Sequence, residues 1–94
     1  MALHIETPLI ASTAISCIAS CKVWLKLENC QPSASFKLRG IGALCIESKN
    51  AGKKKIISSS GGNAGLAAAY SSKLLNMPCK ILYLGAPLNI PSNC

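Results

Sequence analysis

The spacing of apolar residues predicts two short elements near the amino terminus. Apolar side chains recur at helical intervals after Ser12, whose hydroxyl can accept an amide hydrogen bond, so a short helix should run from Ser12 to Ala19. Residues 22–27 are largely apolar and rich in strand formers, which predicts a strand ending at Glu28. The sequence Gln31-Pro32-Ser33 breaks this pattern and predicts a turn.

A longer apolar stripe predicts the second helix. Ser35 is placed to cap a helix from Phe36 to about Lys49, because apolar or small side chains recur every three or four positions. Asn50-Ala51-Gly52 supplies the stop, since Gly readily adopts the left-handed conformation that follows a helix. The members of the stripe are Leu38, Ile41, Leu44, Cys45 and Ser48.

The second half of the chain has the pattern of a βαβ unit. Residues 55–58 read as a strand, 59–62 as a Gly-rich loop, 63–76 as an Ala-rich helix and 79–84 as a second strand, which implies parallel strands with a right-handed crossover. Residues 85–94 contain several turn formers and no periodicity, so we expect an irregular tail. Two parallel strands cannot bury both faces of a sheet, so the α/β architecture predicted here is incomplete.

Composition and charge narrow the class of protein. Half of the 94 residues are apolar, which fits one α/β domain at most. The net charge of +7 comes from scattered cations, apart from Lys53-Lys54-Lys55, and no aromatic residues are interleaved with that run for stacking on bases. No apolar run is long enough to span a bilayer and no basic leader is present. We therefore expect a cytoplasmic protein that binds neither nucleic acid nor membranes.

The six cysteines are expected to be reduced. Most lie in apolar segments, where a free Cys behaves as a small hydrophobe. Cys17 and Cys21 share a helix face, but no further pair or His cluster completes a metal site, so we expect none. The cysteines are Cys17, Cys21, Cys30, Cys45, Cys79 and Cys94.

Lys37 is the first candidate for chemistry. A lysine is nucleophilic only when unprotonated, and both the positive end of a helix and the neighbouring Arg39 should disfavour its ammonium form. Phe36 offers a flat apolar face for an aromatic ligand. On spacing alone, a lysine in the first turn of a helix is more often structural than catalytic.

The Gly-rich turn from Ser58 to Gly65 is the second candidate. Free amide hydrogens at the start of a helix favour a carboxylate or a phosphate. The turn has neither the spacing of a dinucleotide-binding fingerprint nor that of a Walker loop. Taken alone, it is equally an ordinary connection between a strand and a helix.

Together these segments resemble the amino-terminal part of the serine/threonine dehydratase family, which are fold-type II pyridoxal-phosphate enzymes. The resemblance is to mammalian-type serine dehydratases and their serine dehydratase-like relatives, and Gly61, where many serine dehydratases carry Ala, favours the latter. The segments that carry it, in chain order, are Thr7-Pro8-Leu9, Leu25-Lys26-Leu27-Glu28, Gln31-Pro32-Ser33-x-Ser35-Phe36-Lys37-x-Arg39-Gly40 and Ser59-Ser60-Gly61-Gly62-Asn63-Ala64-Gly65.

The resemblance implies a role for each matching residue. Lys37 would carry pyridoxal phosphate and later move the α-proton of the substrate, Phe36 would stack on the pyridine ring, and Asn63 would bond its ring oxygen. The backbone around five residues would hold the carboxylate of an amino-acid substrate: Ser60, Gly61, Gly62, Asn63 and Ala64. The implied reaction converts L-serine to pyruvate and ammonia, and L-threonine to 2-oxobutanoate and ammonia.

The resemblance also implies a division of the chain and an incomplete pocket. Residues 1–33 would begin the large cofactor domain and residues 34–84 the small domain. The family's phosphate-binding loop lies downstream of the residues present, so we expect a truncated chain that is inactive alone. Ala34 stands where the family has Gly, which costs energy if φ is positive there, and Asn76 replaces a helix-ending Gly.

Other functions share some of these motifs. Threonine deaminase, serine racemase and cysteine synthase have the same lysine and Ser-Gly-Asn elements. A different possibility is a non-catalytic module whose open sheet edge pairs with a full-length homologue, as a homodimer or a heterodimer.

Overall fold

The computed structural model describes residues 1–83 and 88–90, which form two small sheets and three α-helices. The two longer helices pack against each other beside the larger sheet, and all the strands are short. In chain order the elements are β1 (Leu9–Ala11), α1 (Thr13–Ala19), β2 (Trp24–Lys26), a 3-10 turn (Glu28–Cys30), α2 (Lys37–Asn50), β3 (Ile56–Ser58), α3 (Asn63–Leu74), β4 (Cys79–Ile81) and β5 (Leu88–Ile90).

The first sheet is an antiparallel pair of strands that are joined by α1. Strand β1 pairs with β2 so that Leu9 lies opposite Lys26, and α1 connects the two strands. The Ser12 side chain accepts a hydrogen bond from the Ile15 amide at 3.2 Å, which confirms the predicted cap. Strand β1 was not predicted, because three residues are too few to show a period.

The second sheet has the order β3-β4-β5 and confirms the βαβ prediction. Strands β3 and β4 are parallel, with Ile56 opposite Cys79 and α3 as the crossover. Strand β5 adds to β4 in the antiparallel direction, so the prediction of an irregular tail is wrong for residues 88–90. The backbone groups at the free edge of β4 pair with these residues. Such pairing leaves no periodic pattern in the sequence, so the sequence did not predict it. Residues 84–87 and 91–94, with the rest of the tail and Cys94, lie outside the described residues.

The helices end close to their predicted positions. Helix α2 stops at Asn50, and Gly52 follows with a φ of 86°. Helix α3 ends at Leu74, two residues before the predicted Asn76. Asn76 itself has a φ of 57°, which confirms that Asn supplies the left-handed residue after this helix.

The core lies between α2, α3 and one face of the second sheet. Side chains of α2 and α3 pack against residues that precede α2 and follow α3 in the chain. Ala68 of α3 packs with Cys79 and Ile81 of β4. The larger cluster consists of Leu3, Leu38, Cys45, Ala67, Leu75 and Met77. The division of the chain at residues 33 and 34 stays a prediction.

Much apolar surface is left uncovered. Helix α1 has no buried residue, and Ile18 is 86% exposed. On the larger sheet, Ile57 is 61% exposed, which agrees with a sheet that lacks cover on one side. No helix in the described part of the chain has the length and hydropathy needed to cross a membrane.

The cysteines are less buried than expected. Cys45 and Cys79 are buried, whereas Cys17, Cys21 and Cys30 are exposed, and all five are free thiols. Helix α1 buries none of its side chains, which is why a cysteine in its apolar pattern remains on the surface. Burial, with Cys79 nearby, raises the pKa of the Cys45 thiol.

Ala34 adopts the left-handed conformation, which costs an Ala more energy than a Gly. Its φ is 69°, in the left-handed region that penalises a side chain. We expect Ala34→Gly to raise the free energy of unfolding by about 0.5–1 kcal/mol, the left-handed penalty less the entropy that Gly loses on folding. Urea denaturation of both proteins measures the difference.

Ala43→Gly is the matched control, because Ala43 is exposed inside α2. There the same substitution should lower the free energy of unfolding by about 1 kcal/mol. Equal losses at the two positions would show that residue 34 is not in the left-handed region.

Candidate functional site

A tight turn precedes Lys37, which is the first residue of α2. The Ala34 amide donates to the Gln31 carbonyl at 2.7 Å, closing a turn with Pro32 at its second position, where the fixed φ of proline is favoured. The chain then runs through Phe36, which has helical dihedrals, and Lys37 is the first residue of the helix. The turn therefore fixes where this lysine leaves the backbone.

Lys37 and Phe36 lie side by side on the surface. The Lys37 ammonium is 5.5 Å from the centroid of the Phe36 ring, and the ring is 58% exposed. Both side chains line a shallow cavity of about 360 Å³ together with Arg39, Gly40 and Ile41. An amine and an exposed aromatic face in one cavity suit a flat electrophile that can bond to the amine and stack on the ring.

The prediction that Ser35 caps α2 is wrong. The helix begins after Phe36, whose side chain makes no capping bond, and the Ser35 hydroxyl points into the protein instead. The hydroxyl oxygens of Ser33 and Ser35 are both buried without a hydrogen-bond partner among the described residues. Ser33 and Ser35 flank Ala34, the residue with a φ of 69°, and both precede Lys37 in the chain.

Glu28 organises the region behind Lys37. Its carboxylate accepts from Arg39 at 2.6 Å and 3.3 Å and also from the hydroxyl of Thr7. Gln31 reaches the same carboxylate at 3.3 Å and forms a double hydrogen bond with the backbone of Ile5. The network ties the amino-terminal segment and the 3-10 turn to the first turn of α2.

This network changes the expected role of Arg39. The sequence predicts that Arg39 disfavours the ammonium form of Lys37, and in the structure the carboxylate of Glu28 pairs with the Arg39 guanidinium. Glu28 and Gln31 are therefore positioning residues that reasoning from the sequence missed. Their signal was available, because both lie in the segments that match the family.

The network holds Glu28 ionised to low pH. Hydrogen bonds from Arg39 and Thr7 lower the pKa of the carboxyl from 4.5 to about 2. Its pKa is lower in the folded chain, so its stabilising contribution is complete above pH 4.5 and is lost as the pH falls toward 2. Acidification in that window should loosen the first turn of α2.

Glu28→Gln should make the free energy of unfolding less dependent on pH in the acid range. We expect a lower free energy of unfolding at neutral pH, because the Arg39 guanidinium loses its counterion, and a smaller further loss between pH 4.5 and 2 than in the unmodified chain. Urea denaturation across this pH range measures the slope.

Glu47→Gln is the control, since it removes a carboxylate from α2 without touching this network. The loss of unfolding free energy between pH 4.5 and 2 could instead be unchanged in Glu28→Gln and smaller in Glu47→Gln. That result would contradict the assignment of this loss to Glu28.

The Gly-rich turn joins β3 to α3 and is shaped by serine side chains. The Ser60 amide donates to the Ser58 hydroxyl at 3.3 Å, and the Gly62 amide donates to the Ser60 hydroxyl at 3.2 Å. Helix α3 then begins at Asn63, which is exposed. Among the described residues, five amides of the turn make no hydrogen bond: Ser59, Gly61, Asn63, Ala64 and Gly65. These donors are free for an anion.

Two glycines are required by close contacts in this turn. A Cβ on Gly65 would lie 2.1 Å from the Ser60 carbonyl oxygen. The backbone of the turn therefore lies directly against α3 at Gly65. A Cβ on Gly61 would lie 2.9 Å from the Cβ of Tyr83. Gly65 is therefore the more constrained residue, because it meets backbone rather than a side chain.

The structure brings the two candidate elements into neighbouring cavities. A cavity of about 400 Å³ contains Ser60 and Ala64 of the turn, while Lys37 and Phe36 line the other, and Ile41 belongs to both. The larger cavity is lined by Ile41, Leu44, Cys45, Ser48, Lys53, Lys55, Ile56, Ile57, Ser58, Ser59, Ser60, Ala64 and Ala68. Ile41 of α2 is therefore the residue at which the two cavities adjoin.

Sequence comparison identifies relatives of this arrangement. Residues 1–91 match the family described as "Pyridoxal-phosphate dependent enzyme". The chain is 51% identical over 79 residues to the human protein "Serine dehydratase-like", covering 84% of this chain and 24% of that protein. It is 46% identical over 80 residues to "L-serine dehydratase/L-threonine deaminase" of Mus musculus, covering 85% and 24%. The chain thus spans about a quarter of the length of these relatives.

Solved structures show the same fold over this stretch. A fungal L-serine ammonia-lyase from Rhizomucor miehei superposes with a TM-score of 0.77 at 36% identity, covering 88% of this chain and 27% of that one. Maize serine racemase gives a TM-score of 0.75 at 28% identity, with 88% and 26% covered. The fold is therefore part of a fold-type II pyridoxal-phosphate enzyme, as the sequence predicted.

Proposed function

Because the chain belongs to the family of pyridoxal-phosphate dependent enzymes, we propose that it forms the cofactor-lysine and carboxylate-binding part of an L-serine ammonia-lyase. The reaction releases pyruvate and ammonia from L-serine, or 2-oxobutanoate and ammonia from L-threonine. The observation that carries the proposal is the exposure of Lys37 beside Phe36 at the first turn of α2. The names of the relatives, which include serine dehydratases, support the choice of reaction.

The residues present fit pyridoxal phosphate, which the family implies. The Lys37 amine can bond to an aldehyde, and the exposed ring of Phe36 can stack on a pyridine. The unsatisfied hydroxyls of Ser33 and Ser35 are polar atoms that a neighbouring ligand or water could satisfy. When bound, this cofactor supplies the electron sink that allows the α-proton of an amino acid to leave.

The side chains around that cofactor would orient the substrate and move one proton. The Lys37 nitrogen would hold the cofactor and, once freed by the amine of the substrate, would take the α-proton. Asn63 would donate a hydrogen bond to the ring oxygen. The backbone of Ser60, Gly61, Gly62, Asn63 and Ala64 would hold the carboxylate. Of these five residues, Gly61, Asn63 and Ala64 have amides with no acceptor in the described structure.

We expect the isolated chain to release no more pyruvate from L-serine than a matched solution of free pyridoxal phosphate. Lys37 and Phe36 are open to water, and the electrostatic interactions that drive catalysis are weak in a solvated cleft. A coupled assay for pyruvate measures the rate. Pyruvate well above the free-cofactor rate would show that these residues form a complete active site.

The lyase assignment itself is tested in a chimera. Residues 1–83 replace the matched segment of the human serine dehydratase-like protein, and the products from L-serine are measured. Pyruvate that disappears with Lys37→Ala supports the proposal. Formation of D-serine without pyruvate would indicate a racemase, as in the maize neighbour, and would contradict it.

A further inference from the structure

Tyr83 lies at the same edge of the larger sheet as the Gly-rich turn. Strands β3 and β4 are parallel, with Ser58 opposite Ile81, so their carboxyl ends lie side by side. The Leu82 amide donates to the Ser58 carbonyl at 2.7 Å, which extends the pairing one residue past β4. The turn leaves β3 at this edge, and Tyr83 follows β4 there. In open α/β sheets, ligands bind beyond the carboxyl ends of the strands.

The Tyr83 side chain lies against Gly61. A Cβ on Gly61 would lie 2.9 Å from the Tyr83 Cβ and 3.6 Å from its Cγ. The first distance is shorter than two carbon atoms adopt at their optimal separation, so Tyr83 fills the space that a side chain on Gly61 would need. Tyr83 is 48% exposed and therefore covers the turn at the surface of the molecule.

The backbone of Gly61 is conformationally free by its sequence. Gly61 and Gly62 are consecutive glycines, and glycine loses more conformational freedom on ordering than any other residue. The Gly62 amide donates to the Ser60 hydroxyl at 3.2 Å, whereas the Gly61 amide has no acceptor among the described residues. A side chain packed beside Gly61 removes part of this freedom before a ligand arrives, and such preorganisation raises affinity.

We propose that Tyr83 is a positioning residue, which acts through Gly61 to hold the turn in the conformation that binds the carboxylate of an amino-acid substrate. The inference rests on the proposed function, because it concerns the proposed carboxylate site, and it adds to that site a residue from outside the turn. Tyr83 lies outside the segments that carry the family resemblance, so its role is inferred from its contact with Gly61.

Titration with 3-hydroxypropionate tests the proposal on the chain without cofactor. This anion has the carboxylate and the β-hydroxyl of serine but no amine, so it cannot take the place of Lys37 on a cofactor aldehyde. The NMR shifts of the Gly61, Asn63 and Ala64 amides measure its dissociation constant. Tyr83→Ala should raise that constant about fivefold, because the ligand must then order the turn by itself, whereas Tyr83→Phe should leave it unchanged.

Leu74→Ala is the matched control for the loss of an exposed side chain. Leu74 is 52% exposed and ends α3, whereas the turn precedes the first residue of that helix. The dissociation constant of this variant should equal that of the unmodified chain. Circular dichroism verifies that each variant folds. Should Tyr83→Ala unfold, Tyr83→Val takes its place, since it lacks the ring but keeps a strand-forming residue.

A double-mutant cycle tests the contact itself. Gly61→Ala places a methyl group 2.9 Å from the Tyr83 Cβ, so the turn must shift. We expect this change to raise the dissociation constant at least about fivefold in the unmodified background. In the Tyr83→Gly background the obstacle is absent, and the same change should alter the constant less than about twofold.

Three results would overturn the proposal. The first is an equal dissociation constant for the unmodified chain and the variant without the Tyr83 ring. The second is an equal effect of Gly61→Ala in both backgrounds. The third is the absence of any titratable shift at the turn amides of the unmodified chain. None of these measurements involves Lys37 or the cofactor, so a loss of pyruvate formation in the chimera, which would contradict the proposed lyase, is a separate outcome.

Discussion

Replacing Gly65 by Ala is expected to destabilise the chain by about 3 kcal/mol or more, the upper end of overpacking costs. The added methyl would lie 2.1 Å from the Ser60 carbonyl oxygen and 3.1 Å from its carbon, and both are backbone atoms. The Gly-rich turn must therefore move away from α3. For a domain of this size, that loss lowers the midpoint of thermal unfolding by more than about 12 °C.

Gly40→Ala is the matched control in the same chain. Gly40 is exposed in α2 and a Cβ there meets nothing within 4 Å, so the change should raise stability by about 1 kcal/mol. Opposite signs for the two substitutions are the expected result of thermal and urea denaturation. A small effect at both positions would show that the turn does not approach the helix at Gly65.

Lys37→Ala is expected to remove the attachment point of the cofactor. After incubation with pyridoxal phosphate and reduction with borohydride, the label retained by the variant should fall at least about tenfold. Within residues 1–83 and 88–90, Lys37 is the one lysine whose ammonium lies over an aromatic ring. Absorbance of the reduced pyridoxyl group measures the label per chain. The result would assign cofactor attachment to the side chain that lines the cavity with Phe36.

Lys73→Ala is the control for that experiment. Lys73 is exposed in the last turn of α3 and takes no part in the candidate site, so its removal should leave the label unchanged. Equal labelling of Lys37→Ala and the unmodified chain would show that the cofactor reacts with surface lysines without selection.

The elements with long periodic patterns were predictable from the sequence. Helix α2 and the βαβ unit follow from apolar spacing and from Gly52, whose left-handed conformation ends a helix. The three-residue strands β1 and β5 were missed, because pairing across the fold rather than local propensity creates them. The length of α3 was overestimated, since the αL residue Asn76 lies beyond the last helical residue.

The candidate site was predictable in its parts but not in its connections. The sequence indicated Lys37, Phe36 and the Gly-rich turn. It also placed Ser35 at the helix cap, whereas the helix begins after Phe36 and the Ser35 hydroxyl is buried. Nothing local in the sequence pairs Arg39 with Glu28, because that contact depends on how the 3-10 turn approaches α2. The roles assigned to the individual site residues stay predictions.

Lys37 is the lysine to which we propose that pyridoxal phosphate attaches. Peptide mapping by mass spectrometry, after borohydride reduction of the unmodified chain with one equivalent of cofactor, tests it most directly. The chain contains nine lysines, so selective and random attachment are readily told apart. We predict the reduced label on Lys37 alone. Label spread over the lysines, or concentrated on Lys53, Lys54 and Lys55, would contradict the account.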